Sequence, residues 1–341
     1  MAGIERRVTM ASMAMEDSIL KFPEQFDYEP AVQNAERLAG PFRHFVLDGM
    51  GGSHLAADLL KDHNPSLDLY VHRSYGLPNE AHHPPADELE KDRTLFIASS
   101  HSGNTEEVLD FAEEAFEKGY PLACIATGGK LIKFAEENDL PYIQLPDTGI
   151  QPRTALGFAL LALVQLIDPD QLLELRAPKN AIDPSSLRPR GEEIAELLRD
   201  SVPIIYCSAG NTSIAYNWKI KFNETGKIPA FYNVFPELNH NEMTGFDVAE
   251  SNKHLSEQFT FIFLRDQNDH EQIRRRIDVC KKLYEDRGFT VLDEHLAGES
   301  YFERAFNSLL TADWAALAIA TMYGTEPEEV PMVEEFKKKI A

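Results

Sequence analysis

At 341 residues the chain has room for two domains of roughly 150 residues each, and its 43% hydrophobic content is ordinary for packed cores. A formal net charge of −23 argues against nucleic acid and anionic membranes as partners, because both attract basic surfaces. Cys124, Cys207 and Cys280 are far apart and show no zinc or redox spacing, so they read as thiols of a reducing cytoplasm.

In chain order, residues 1–38 read as an entry helix and an arm. No long apolar stretch follows Arg6 and Arg7, so no secretory signal is expected. Residues 13–20 suit a helix that Lys21-Phe22-Pro23 stops. A strand over 44–47 leads into the loop Gly49-Met50-Gly51-Gly52-Ser53 and a helix from Leu55, and a short strand covers 67–71. The continuous apolar run Leu95-Phe96-Ile97-Ala98 has the character of a strand buried on both faces. The loop Ser99-Ser100-His101-Ser102-Gly103-Asn104 follows it. Thr105 then reads as an N-cap, Glu106 and Glu107 suit a first helical turn, and Val108, Phe111, Ala112, Ala115 and Phe116 recur at helical spacing. A third strand over 122–126 precedes the loop Thr127-Gly128-Gly129-Lys130. The greasy run over 155–167, interrupted by Gln165, is shorter than the ~20 residues that span a bilayer.

Residues 176–190, rich in Pro, Ser and charge, read as a linker. The alternation then restarts with a strand over 202–207, a loop over 208–212, a helix from Ser213 to about Glu224, strands over 259–264 and 289–292, a long helix over 299–323, and a short helix over 332–340. Strands alternating with helices imply α/β architecture with two doubly wound parallel-sheet domains, over 39–175 and 191–341.

In such sheets ligands sit beyond the carboxyl ends of the strands. Helix N-termini there offer free N–H groups and partial positive charge to a phosphate. The loops at Gly51-Gly52-Ser53 and Ser100 to Thr105 hold that position, with glycines for close backbone approach and hydroxyls as donors. Each loop alone also reads as a tight turn. His54 stands where a dinucleotide fingerprint needs its third glycine, and no P-loop lysine follows.

Two further stretches are polar without a packing pattern. One is Phe222-Asn223-Glu224-Thr225-Gly226-Lys227, the other Pro236-Glu237-Leu238-Asn239-His240-Asn241-Glu242. They supply a carboxylate, Glu224, and an imidazole, His240. The plainer readings are an exposed glutamate at a helix end and a surface histidine. Arg153 starts an apolar helix, where a salt bridge would also explain it. Lys337 is one of three consecutive lysines on a helix face that solvent would also explain.

Together these residues resemble the bifunctional phosphoglucose/phosphomannose isomerases of the sugar isomerase (SIS) superfamily, over almost the whole chain. The likeness runs through Phe22-Pro23-Glu24-Gln25, Gly49 to Ser53, Ser102-Gly103-Asn104-Thr105, Pro152-Arg153, Asn223-Glu224 with Lys227, Pro236 to Glu242 and Phe336-Lys337. Asp48, His54, His101 and Thr225-Gly226 depart from the family pattern. The resemblance implies interconversion of glucose 6-phosphate and/or mannose 6-phosphate with fructose 6-phosphate through a cis-enediol, without metal or other cofactor. Gly51, Gly52, Ser53, Ser100, Ser102 and Thr105 would hold the phosphate. Glu224 would move the proton between C2 and C1, Arg153 would stabilise the enediolate, and His240 and Lys337 would serve ring opening. The resemblance also implies a cytoplasmic homodimer whose active site takes its histidine from the neighbouring subunit. A non-catalytic SIS sugar-phosphate-binding module, or an isomerase of another phosphosugar, remains the alternative.

Overall fold

The computed structural model describes residues 10–38, 40–78 and 93–340; Arg6 and Arg7 lie outside them. The chain forms two compact units, one of Met1–Lys21 with Ala181–Ala341 and one of Phe22–Asn180. Helix α1 (Met10–Leu20) therefore belongs with the C-terminal half.

In the unit Phe22–Asn180 the strands are β1 (Val32–Gln33), β2 (His44–Asp48), β3 (Leu69–His72), β4 (Thr94–Ser99), β5 (Leu122–Ala126) and β6 (Tyr142–Gln144). They form one sheet in the order β1-β6-β5-β4-β2-β3, parallel except for β1. Its helices are α2 (Leu55–His63), α3 (Glu106–Glu117), α4 (Gly129–Glu137) and α5 (Leu156–Ile167). Strands β4 and β5 are buried along their whole length. This is why they read as unbroken apolar runs rather than alternating ones. On one face Val46, Phe96, Ala98 and Cys124 pack against Val108, Phe111, Ala115, Leu131 and Ala135 of α3 and α4.

In the other unit helix α6 (Pro184–Leu197) precedes β7 (Val202–Ser208), α7 (Thr212–Lys221), β8 (Phe231–Phe235), β9 (Phe259–Arg265), α8 (Glu271–Glu285), β10 (Thr290–His295), α9 (Tyr301–Tyr323) and α10 (Pro331–Ile340). The sheet is fully parallel in the order β10-β9-β7-β8. Its aromatic core gathers Tyr206, Phe235, Phe246, Phe261, Phe263 and Tyr284.

The stretch read as a linker is in large part helical. Asp183 caps α6 by accepting the Ser185 N–H at 3.1 Å, and Pro184 takes the first helical position, where a missing N–H costs nothing. Gly191 lets α6 press onto α9: a Cβ there would lie 2.4 Å from the Cβ of Trp314. All three cysteines are buried thiols outside any disulfide. Among the described residues no helix is long and apolar enough to cross a membrane.

Candidate functional site

In the unit Phe22–Asn180, the structure brings the glycine loop, the serine loop and Arg153 together. Gly51–Ser53 forms a single 3-10 turn at the end of β2. A Cβ on Gly52 would stand 2.7 Å from the Pro152 carbonyl carbon and 3.0 Å from the Arg153 nitrogen, so only glycine lets the two backbones approach so closely. Ser53 Oγ accepts the His101 N–H at 2.9 Å, and Ser99 Oγ donates to the Ser53 carbonyl at 3.2 Å. The Ser53 O–H proton is not used by the first bond and can be donated to a ligand.

Within the serine loop the hydroxyls divide their tasks. Ser100 is buried; its Oγ accepts the Gly103 N–H at 3.1 Å and lies 2.8 Å from Thr105 Oγ1. Ser100 therefore shapes the loop from inside, while Ser102 is exposed and Thr105 half-buried. Thr105 occupies the N-cap position of α3, but its side chain makes no capping bond there and turns instead to Ser100. Gly103, at φ +67°, is in the left-handed region, and a Cβ on it would meet the Gly128 carbonyl oxygen at 1.9 Å. Gly103→Ala should therefore push the loop off Gly128. The backbone strain alone costs about 1–3 kcal/mol, so thermal denaturation should show a lowered midpoint and KM for a phosphorylated hexose should rise. An unchanged KM would remove this loop from phosphate binding.

Arg153 lies on the turn Pro152–Thr154 at only 2% exposure, with its guanidinium 3.5 Å from Gln151 Oε1. Sequence reasoning missed the residue that fixes this turn. Buried Gln25 donates to the Thr154 carbonyl at 2.7 Å and accepts the Gly157 N–H at 2.9 Å, stapling the turn to the start of α5. The motif Phe22-Pro23-Glu24-Gln25 was the signal, since a glutamine beside two buried phenylalanines needs internal partners.

The two unexpected histidines have different fates. His54 is buried and its Nδ1 lies 2.8 Å from Asp58, which also takes Arg73 at 2.6 Å. His54 is thus engaged in a His54–Asp58–Arg73 chain that links the start of α2 to the end of β3. Burial lowers the His101 pKa against the opposing pull of Asp147 and the Ile150 backbone, which favours a neutral ring beside the loop.

In the other unit Glu224 sits on a turn of π-helix, Phe222–Gly226, appended to α7. Such turns break the regular ladder and re-aim side chains. Lys227, itself left-handed at φ 57°, ends the turn with its ammonium on the carbonyls of Glu224 and Glu329. Asn223 donates to the Ile228 carbonyl at 3.0 Å. Thr225 and Gly226 are buried, and Gly226 faces Ala316 and Ile319 of α9. The departure at Thr225-Gly226 therefore falls on a packing surface.

His240 ends the 3-10 turn Glu237–His240 after β8 and is exposed. Glu242 holds this region to the sheet by accepting from Tyr206 of β7 and Asn233 of β8. Lys337 stands on α10, exposed and 2.9 Å from Glu334. Glu224, His240 and Lys337 thus come from three separate elements of this unit.

Residues 189–340 match the family model of the bacterial phospho-glucose isomerase C-terminal SIS domain. The chain is 34% identical over 350 residues to the bifunctional phosphoglucose/phosphomannose isomerase of Caldicellulosiruptor bescii, covering 96% of this chain and 99% of that protein. To the enzyme of the same name from Aquifex aeolicus it is 32% identical over 326 residues, covering 94% and 96%. The crystal structure of a hypothetical protein from Thermus thermophilus shares the fold with a TM-score of 0.71 at 16% identity, covering 97% of this chain and 94% of that one.

Proposed function

The chain belongs to the family of bifunctional phosphoglucose/phosphomannose isomerases, and we propose that it interconverts glucose 6-phosphate and mannose 6-phosphate with fructose 6-phosphate. The observation that carries the site assignment is the knitting of two glycine- and hydroxyl-rich loops to the turn bearing Arg153. The hydroxyls of Ser53, Ser102 and Thr105 and the backbone of Gly51 and Gly52 bind the 6-phosphate, and Ser100 keeps their loop in shape. The positive end of α3 adds to this grip.

Glu224 carries the proton between C2 and C1 as the general base. Arg153 stabilises the negative enediolate oxygen, and its burial strengthens that interaction by removing competing water. His240 and Lys337 move protons at the ring oxygen and the anomeric hydroxyl during ring opening. A homodimer in which His240 serves the neighbouring subunit accords with the exposure of that side chain. The workplace is the cytoplasm, in keeping with three buried thiols.

A single base acting on either face of the enediol, after rotation of the latter, accepts both C2 epimers. Purified protein supplied with fructose 6-phosphate should therefore form both glucose 6-phosphate and mannose 6-phosphate, scored by separate coupled assays. Chelator treatment should leave both rates unchanged. Absence of both products would reject the isomerase reading in favour of a binding module. Loss of activity on chelation, restored by added metal, would replace the proton-shuttle mechanism.

A further inference from the structure

At the base of the glycine loop stands a charged side chain, Asp48, the last residue of β2, directly before Gly49. It is fully buried, and neither carboxyl oxygen meets a hydrogen-bonding side chain among the described residues; the Ser74 and Gly49 backbone amides face it without closing a well-formed bond. In register it lies beside Ala98 of β4 and His72 of β3. The alternation of strand residues puts it on the same face as Val46, which packs against α3. The N-terminal end of α3 is the end that carries the Ser100 to Thr105 loop.

Among the described residues, the groups around Asp48 give it no positive partner. From α3, Glu107 and Asp110 act on it with like charge. From β3, the His72 ring lies tilted against Phe111 with centroids 6.1 Å apart, and its Nε2 is buried without a hydrogen bond among the described residues. Arg73, the next residue, is turned to Asp58. Just beyond, the Gly76 N–H binds Asp110 at 2.7 Å and the Leu77 N–H binds Glu114 at 2.9 Å, tying this segment to the acidic side of α3. Tyr75 in the same segment lies near Glu106, Glu107 and Asp110. Burial above all raises the Asp48 pKa to about 7; Glu107 and Asp110 add to the rise, while the Ser74 and Gly49 backbone amides oppose it.

We propose that Asp48 is a proton-linked positioning residue for the substrate phosphate: the loop binds the anion with Asp48 neutral, and ionised Asp48 repels it. This rests on the phosphate-loop reading above. A bound dianion close to Asp48 further favours the neutral form, so binding takes up a proton at pH values where free Asp48 is ionised. Affinity is full below about pH 7 and declines as pH rises through that value, by about tenfold per unit for one linked proton.

The substrate phosphate itself titrates near pH 6, so the test uses glucitol 6-sulfate, an anion that does not titrate there, beside glucitol 6-phosphate. Neither ligand has a carbonyl, so no turnover occurs. Calorimetry from about pH 5.5 to 8.5 in buffers of different ionisation heats should show sulfate-ester affinity falling with pH in the wild-type protein, with proton uptake approaching one. In Asp48→Asn, or Asp48→Ser if the first variant is poorly folded, affinity should be flat and uptake absent. A flat wild-type profile, or the same slope in the variants, would overturn the proposal. If neither ester binds the wild-type protein at any pH, or if Ser53→Ala and Gly103→Ala leave binding unchanged, the phosphate-loop reading itself falls, and the proposal with it.

Discussion

Glu224→Gln should lower kcat for fructose 6-phosphate isomerisation by about 10²–10⁴-fold, the range expected when a positioned general base is removed. Glutamine keeps the length and shape of the side chain but cannot take the proton from carbon. The π turn should survive, because burial of its neighbours and bonds to backbone carbonyls hold it and glutamine leaves both in place. Thr225 and Gly226 are buried, Asn223 bonds the Ile228 carbonyl, and Lys227 bonds the Glu224 carbonyl. The loops proposed to hold the phosphate belong to the other unit and are unaltered, so KM and the affinity for glucitol 6-phosphate should change by less than about threefold, about 0.7 kcal/mol. Loss in kcat with retained binding is the signature of an interaction made only in the transition state. Both products should decline together, since the proposed mechanism uses one base for both epimers. A variant with wild-type kcat would remove Glu224 from the role of base, and one defective only toward mannose 6-phosphate would require a second base.

Much of this arrangement was legible in the sequence because the signals are local. Residues 122–126 are apolar throughout, and β5 occupies that range, Leu122–Ala126, buried on both faces. The serine loop declared itself by lying between such a strand and a run with helical spacing. Elements that depend on distant partners were harder to read. Strand β8 has its first two aromatics exposed and is bounded by Pro229 and Pro236, so it lacks the character of a buried strand. It exists because β7 pairs with it along one edge. Residues 184–190 read as a linker through their prolines and serines. The helix there depends on Asp183 as cap, on Trp314 Nε1 donating to the Pro184 carbonyl at 2.7 Å, and on Arg188 lying over the Trp314 ring at 4.9 Å. None of those contacts is visible in local composition. The same holds for the site. Glu224 stood out as a carboxylate in unpatterned polar sequence, whereas the tasks of Gln25 and of Ser100 emerge only from tertiary hydrogen bonds.

Asp313→Ala should be among the most damaging single changes outside the reacting groups. Asp313 of α9 and Lys221 of α7 form an ion pair at 2.6 Å with side chains only 5% and 2% exposed. Removing the carboxylate strips a buried ammonium of this counter-charge, a change that costs about 3–5 kcal/mol. The loss falls where it matters for chemistry, because Lys221 immediately precedes the π turn that carries Glu224. Trp218, one helical turn earlier, is fixed to the same helix by a 2.9 Å bond from its Nε1 to Ser308. The ion pair and this bond both tie α7 to α9, and loss of the pair loosens the end nearest the proposed base. A displacement of about 1 Å at a reacting group can cost about 10²-fold in rate. Asp313→Ala is accordingly expected to lower both the denaturation midpoint and kcat, with amide exchange accelerated in peptides spanning 218–226. The double variant Lys221→Met/Asp313→Leu removes both charges at similar volume and should recover most of the stability, since an apolar pair can replace a buried ion pair at little cost. If it also recovers kcat, Lys221 acts through position alone. If stability returns while kcat stays low, the ammonium itself contributes to the field around Glu224. Wild-type stability and exchange in Asp313→Ala would show that the apolar contacts of α7 and α9 suffice to hold the turn.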